Sequence, residues 1–119
     1  MISNNYEKFK GMVDELIEKY KGDMGCHVSF TGFVRNYNID KEGHKIPTDN
    51  MVIPDILDIL EDIRKDAIEK FNLLDVAIYH NKGTLKVGDV VSSIYVFARH
   101  RKEGFLACEY IIDKIKKYH

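Results

Sequence analysis

The sequence predicts an α+β domain in which three amphipathic helices share a hydrophobic core with a mixed or antiparallel sheet. Three observations carry this expectation. Three segments repeat apolar residues at three- and four-residue steps, and four shorter ones alternate or run apolar as strands do. The two kinds follow one another in the order α-β-loop-α-β-β-β-α. Finally, 119 residues with 45% hydrophobic content suffice for one core. Residues 1–119 are therefore expected to form a single domain.

The first helix is predicted over about 4–20, where Tyr6, Phe9, Val13, Leu16, Ile17 and Tyr20 make one stripe. Lys21-Gly22-Asp23 ends it, with glycine as the left-handed cap. From Cys26 to Val34 apolar and polar residues alternate, the mark of a strand, and Gly32 permits a close approach or a bulge. Periodicity then vanishes over about 36–53, where Asn36, Asn38, Asp40, Gly43, Pro47, Asp49 and Asn50 predict a long loop. Pro54 is expected to open the second helix at its first position, with Ile56, Leu60, Ile63, Ala67 and Phe71 inward. Strands are predicted at 74–79, 85–87 and 90–98, the last two as a hairpin around Gly88-Asp89. The stretch from Cys26 to Tyr79 reads as a strand–helix–strand crossover. A last helix is predicted over about 102–117, with Phe105, Cys108, Ile111, Ile112 and Ile115 on its inner side.

Charge narrows the function. Eighteen Lys and Arg against nineteen Asp and Glu leave a net charge of −1, which argues against a dedicated nucleic-acid or acidic-membrane binder. Any anion site must then be local. Cys26 and Cys108 are too few and too far apart for a disulfide scaffold or zinc motif, and read as small buried hydrophobes. No apolar leader or membrane-length run is present, so a reduced, soluble, cytoplasmic protein is expected.

Arg99-His100-Arg101 stands where a strand ends and a helix begins, a junction whose free N–H groups and dipole suit an anion. Three solvated residues on a connection remain the alternative. Arg35 closes the first strand and either lines a cleft or is an ordinary surface arginine. Lys114, Lys116 and Lys117 suit a helix C-terminus without any catalytic role. His27 and His80 lack Cys or Asp partners at ligand spacing, so no metal is expected. Gly83 to Asp89 copies the spacing of a phosphate loop but leads into no helix. Asp58, Glu61, Asp62 and Glu69 read as a solvated helix face.

Three segments together resemble the large, catalytic subunit of molybdopterin synthase. They are Val28-Ser29-Phe30-Thr31-Gly32-Phe33-Val34-Arg35-Asn36, then Ile78-Tyr79-His80 through Gly83-x-Leu85-x-Val87-Gly88-Asp89, and lastly His100-Arg101-x-Glu103-x-Phe105-x-Ala107-Cys108 continuing to Ile112-Asp113-x-Ile115-Lys116. The resemblance implies an α/β hammerhead fold and a homodimer. It implies that a ubiquitin-like small subunit docks at each end, completing a heterotetramer, and inserts a thiocarboxylate tail. The implied reaction moves that sulfur onto cyclic pyranopterin monophosphate to form molybdopterin, with no further cofactor. Carried over by position, Arg35, His100 and Arg101 match anion-pocket residues and Lys116 matches an active-site lysine. The family usually continues into a Pro-x-Trp-Lys segment with a second lysine. This sequence runs to Lys117-Tyr118-His119 without tryptophan, so the alternative expectation is a binding or regulatory homologue.

Overall fold

The computed structural model describes residues 1–118. The elements are β1 (Ile2–Ser3), α1 (Tyr6–Lys19), β2 (Cys26–Phe33), β3 (Tyr37–Ile39), β4 (Lys45–Pro47), β5 (Asn50–Ile53), α2 (Leu57–Phe71), β6 (Asp75–His80), β7 (Gly83–Lys86), β8 (Val90–Ala98) and α3 (Arg101–Lys116). The central sheet has the order β1-β6-β8-β2. β8 runs antiparallel to both neighbours, and β1 lies parallel to β6. The expected α+β class with a mixed sheet and three helices is what the chain adopts.

Alternation along the strands sends side chains to two cores. On one face Val76, Ile78, Ile94, Val96 and Ala98 meet Leu60, Ile63 and Ala67 of α2 and Ala107, Ile111 and Ile115 of α3. On the other, Ala77, Tyr79 and Phe97 meet Phe9 and Val13 of α1. Every residue of β6 is buried because both faces are covered. Two backbone details set the helices against this sheet. Asn5 caps α1 by accepting from the Lys8 amide at 3.0 Å. Gly104 faces Val28, where an added Cβ would stand 3.0 Å from a Val28 methyl, so α3 lies close on β2.

Four expectations need correction. The 36–53 stretch is not a bare loop: β3 and β4 form a small hairpin, and β5 pairs with β7. Consequently β7 and β8 are not a hairpin, because β7 takes β5 as its partner. The second helix opens at Leu57 rather than at Pro54, since Ile53 is still paired with Gly83 and Asp55 receives the Leu57 amide at 3.3 Å. Phe105 lies outward, 62% exposed, and Gly104 and Ala107 take the inner positions. The strand–helix–strand stretch does make β2 and β6 parallel, with β8 inserted between them. The register shift between Gly32 and Phe33 is the bulge that Gly32 permits.

Candidate active site

β2 ends just past the bulge between Gly32 and Phe33. There a cleft of about 370 Å³ opens between the end of β2, the 38–51 segment, the start of β8 and the last turn of α3. Phe30, Ile94 and Ile112 belong to its apolar wall, while Asn38, Thr48, Asn50 and Ser92 bring hydrogen-bonding groups. Arg35 and Lys116 supply its two cations. Both side chains are exposed, and neither takes part in an ion pair among the described residues. A small polar molecule with an anionic group matches such a lining.

The Arg35 guanidinium lies 5.0 Å from the centre of the Tyr37 ring, and Lys45 Nζ lies 4.7 Å from the same centre. These cation–π contacts hold Arg35 at the cleft edge. Lys116 comes from the last turn of α3, where the helix carbonyls carry partial negative charge. The helix end itself therefore disfavours an anion, and the side-chain cations are what offset it there.

His100 and Arg101 are elsewhere. They begin α3, whereas Lys116 ends it, and sixteen helical residues span about 24 Å. Within one chain, then, the structure joins Arg35 with Lys116 and leaves His100 and Arg101 at the far end. His100 Nδ1 lies 3.6 Å from Glu103 Oε1 beside exposed Leu106. Arg99 is committed to the fold, donating to the Asn72 carbonyl and pairing with Asp23 at 3.4 Å.

Cys108 is buried, and burial pushes its thiol up; Cys26 is half-buried and also free. At the tip of the β3–β4 hairpin, ligand atoms of Asp40, Glu42 and His44 come within 4.8 Å of one another. Asp40 already accepts the Glu42 and His44 amides there, so the trio shapes a turn. The residues that sequence reasoning missed are Asn38, Thr48, Asn50 and Met51, which line the cleft. Their only local signal was turn-forming composition, and no periodicity marked them as walls.

Fold and cleft together define a class: an α+β domain whose sheet and third helix enclose a small cleft with two unpaired cations in its lining. Residues 5–118 match the family described as MoaE protein. The chain belongs to that family. It is 53% identical over its whole length to an uncharacterized protein of Methanocaldococcus jannaschii, all of which it covers. It is 37% identical, over 78% of its own length, to the molybdopterin synthase catalytic subunit of Pyrococcus abyssi. It covers 62% of that relative. A crystal structure of molybdopterin synthase from Staphylococcus aureus superimposes with a TM-score of 0.65 at 30% identity, covering 87% of this chain and 76% of that one. No described helix is long and apolar enough to cross a membrane.

Proposed function

We propose that this protein is a sulfur-transferring catalytic subunit of molybdopterin synthase, acting as one domain in the cytoplasm. The reading is carried by one observation: Arg35 and Lys116, from two separate segments of the family resemblance, line the same cleft. In this reaction the thiocarboxylate tail of a ubiquitin-like small subunit enters the cleft beside cyclic pyranopterin monophosphate. The tail's sulfur bonds to a carbon of the pterin side chain as that carbon's C–O bond breaks and the oxygen leaves, and water then cleaves the acyl C–S bond so that the tail departs as a carboxylate and the sulfur stays on the pterin. Two rounds supply the two sulfurs of the dithiolene. Arg35 holds an oxyanion by charge-assisted hydrogen bonds, and Lys116 handles protons at the reacting atoms.

His100 and Arg101 enter through a homodimer. They flank the positive, N-terminal end of α3, the end suited to an anion, yet lie a helix length from their own chain's cleft. A two-fold copy places the partner subunit's His100 and Arg101 at the cleft of the first, completing the anion pocket.

The test is reconstitution with a thiocarboxylated small subunit and cyclic pyranopterin monophosphate. Formation of the dithiolene product is expected, and Lys116→Ala should lower kcat by about 100-fold or more without moving Tm, because the side chain is exposed. Small-subunit binding without product in the wild-type protein would leave the binding homologue as the correct reading.

A further inference from the structure

The β3–β4 hairpin carries more than a wall of the cleft. Its Tyr37 ring is shared by Arg35, which lines the cleft, and by Lys45, which does not. The two charges therefore stand within about 10 Å of each other, the sum of their distances to one ring centre. The pairing is built by register. Tyr37 stands opposite Pro47 and Lys45 opposite Ile39, so Tyr37 and Lys45 are diagonal neighbours on one face of the hairpin. Neither Arg35 nor Lys45 takes part in an ion pair among the described residues.

Like charges on one ring repel weakly at such an exposed site, and an anion placed between them would gain from both. The ring face offsets that repulsion in part, by its quadrupole. The hairpin's own acids do not. Asp40 accepts two backbone amides at the tip, and Asp40 and Glu42 both lie within 4 Å of His44 Nδ1. In a chain of net charge −1, two unpaired cations on one tyrosine mark a local positive site.

We propose that Tyr37 and Lys45 form, with Arg35, an anion-recognising arm that takes the phosphate of the pterin substrate at the rim of the cleft. Tyr37 is a positioning residue that fixes Arg35, and Lys45 contacts the phosphate. A cyclic phosphodiester spreads its single negative charge over two free oxygens and accepts from several donors at once, which suits two separated cations. With the phosphate on the hairpin side, the tail meets the Lys116 side of the cleft. This inference rests on the proposed sulfur-transfer reading and adds to it the residues that select a phosphorylated substrate.

The experiment measures steady-state kinetics of the reconstituted enzyme together with calorimetric binding of inorganic phosphate to the protein alone. Lys45→Ala should raise KM for the pterin substrate about 5- to 20-fold and leave kcat within twofold. It should weaken phosphate binding and leave affinity for the small subunit unchanged. Lys45→Arg should restore KM. Tyr37→Leu should raise KM in the same way and Tyr37→Phe should not, since the ring face and not the hydroxyl holds the cations. Melting curves check folding; Lys45 is exposed, so its variants should melt with the wild type. An active wild-type enzyme whose KM and phosphate affinity ignore Lys45→Ala would overturn the arm alone. So would a loss confined to small-subunit binding, which would assign Lys45 to the protein partner. A wild-type protein that makes no product would instead defeat the underlying reading, while the phosphate titration would still report on the arm.

Discussion

Asp75 is nearly enclosed, its side chain 10% exposed, and three donors reach its carboxylate. Arg64 donates at 2.7 Å, the Val76 amide at 2.8 Å and the Tyr20 hydroxyl at 3.0 Å. Arg64 in turn donates to the Val76 carbonyl and to Glu61, so α2 is pinned to the start of β6. Burial alone would raise the Asp75 carboxyl. The hydrogen bonds and the Arg64 charge outweigh it and hold the group below its ordinary value of 3.8. A depressed carboxyl stabilises the fold above the unfolded-state value, and that contribution is lost as pH falls through the folded one. Denaturation measured between pH 7 and 2 should therefore show stability falling below about pH 4, and Asp75→Asn should flatten that fall. Arg64→Met should cost about 3–5 kcal/mol, because it strands a buried carboxylate. A loss under 1 kcal/mol in urea titrations would show that the pair is solvated. At this scale the sequence was least informative: Arg64, Asp75 and Tyr20 are ordinary in composition, and only the fold brings them together.

At the scale of elements, close approach decides as much as apolar pattern. Gly25 precedes β2 and donates its amide to the Ala98 carbonyl at 3.0 Å. An added Cβ would stand 1.9 Å from the Arg99 carbonyl oxygen, a backbone atom that cannot turn away. Gly25→Ala should therefore cost about 3 kcal/mol or more, beyond the middle of the overpacking range, read as a lowered denaturation midpoint. Wild-type stability in that variant would refute the close approach. The elements with strong periodicity were legible in the sequence. β8 was expected over 90–98 and found as Val90–Ala98; α1 and α3 differ by one or two residues at their ends. The missed strands have short or non-local causes. β1 has two residues and exists through pairing with β6, and β5 is held by β7 thirty or more residues away. A window of turn formers cannot reveal such partners, because ladder hydrogen bonds rather than local preference hold them. The candidate site shares this limit: Arg35 and Lys116 were readable as types, but the cleft between them depends on β3–β5.

The whole molecule is elongated, with extents of 46 × 30 × 22 Å and a radius of gyration of 15.2 Å, against about 13.5 Å for a compact chain of this length. Exposed apolar side chains stand toward both ends of α3: Phe105 and Leu106 in its first turns, and Phe33, Ile39, Ile46 and Val52 on the strands near the cleft. Single exposed hydrophobes are ordinary, but groups of them beside the cations at both ends of α3 are what the proposed partner copy would cover. The proposed homodimer would account for shape, apolar groups and divided cations together. It makes a quantitative prediction through symmetry. Arg101→Ala and Lys116→Ala should each impair the enzyme as homodimers. When the two variants are unfolded together, refolded and mixed in equal amounts, half of the dimers pair one variant chain with the other. Each such dimer has one cleft with both Arg101 and Lys116 intact and one with neither. Activity should recover to about one quarter of wild type, the value statistical pairing gives for a site shared between two chains. No recovery in a mixture shown by mass spectrometry to contain mixed dimers would mean that the residues act within one chain. In that case His100 and Arg101 would serve a separate surface at the start of α3, since a helix length separates them from Lys116.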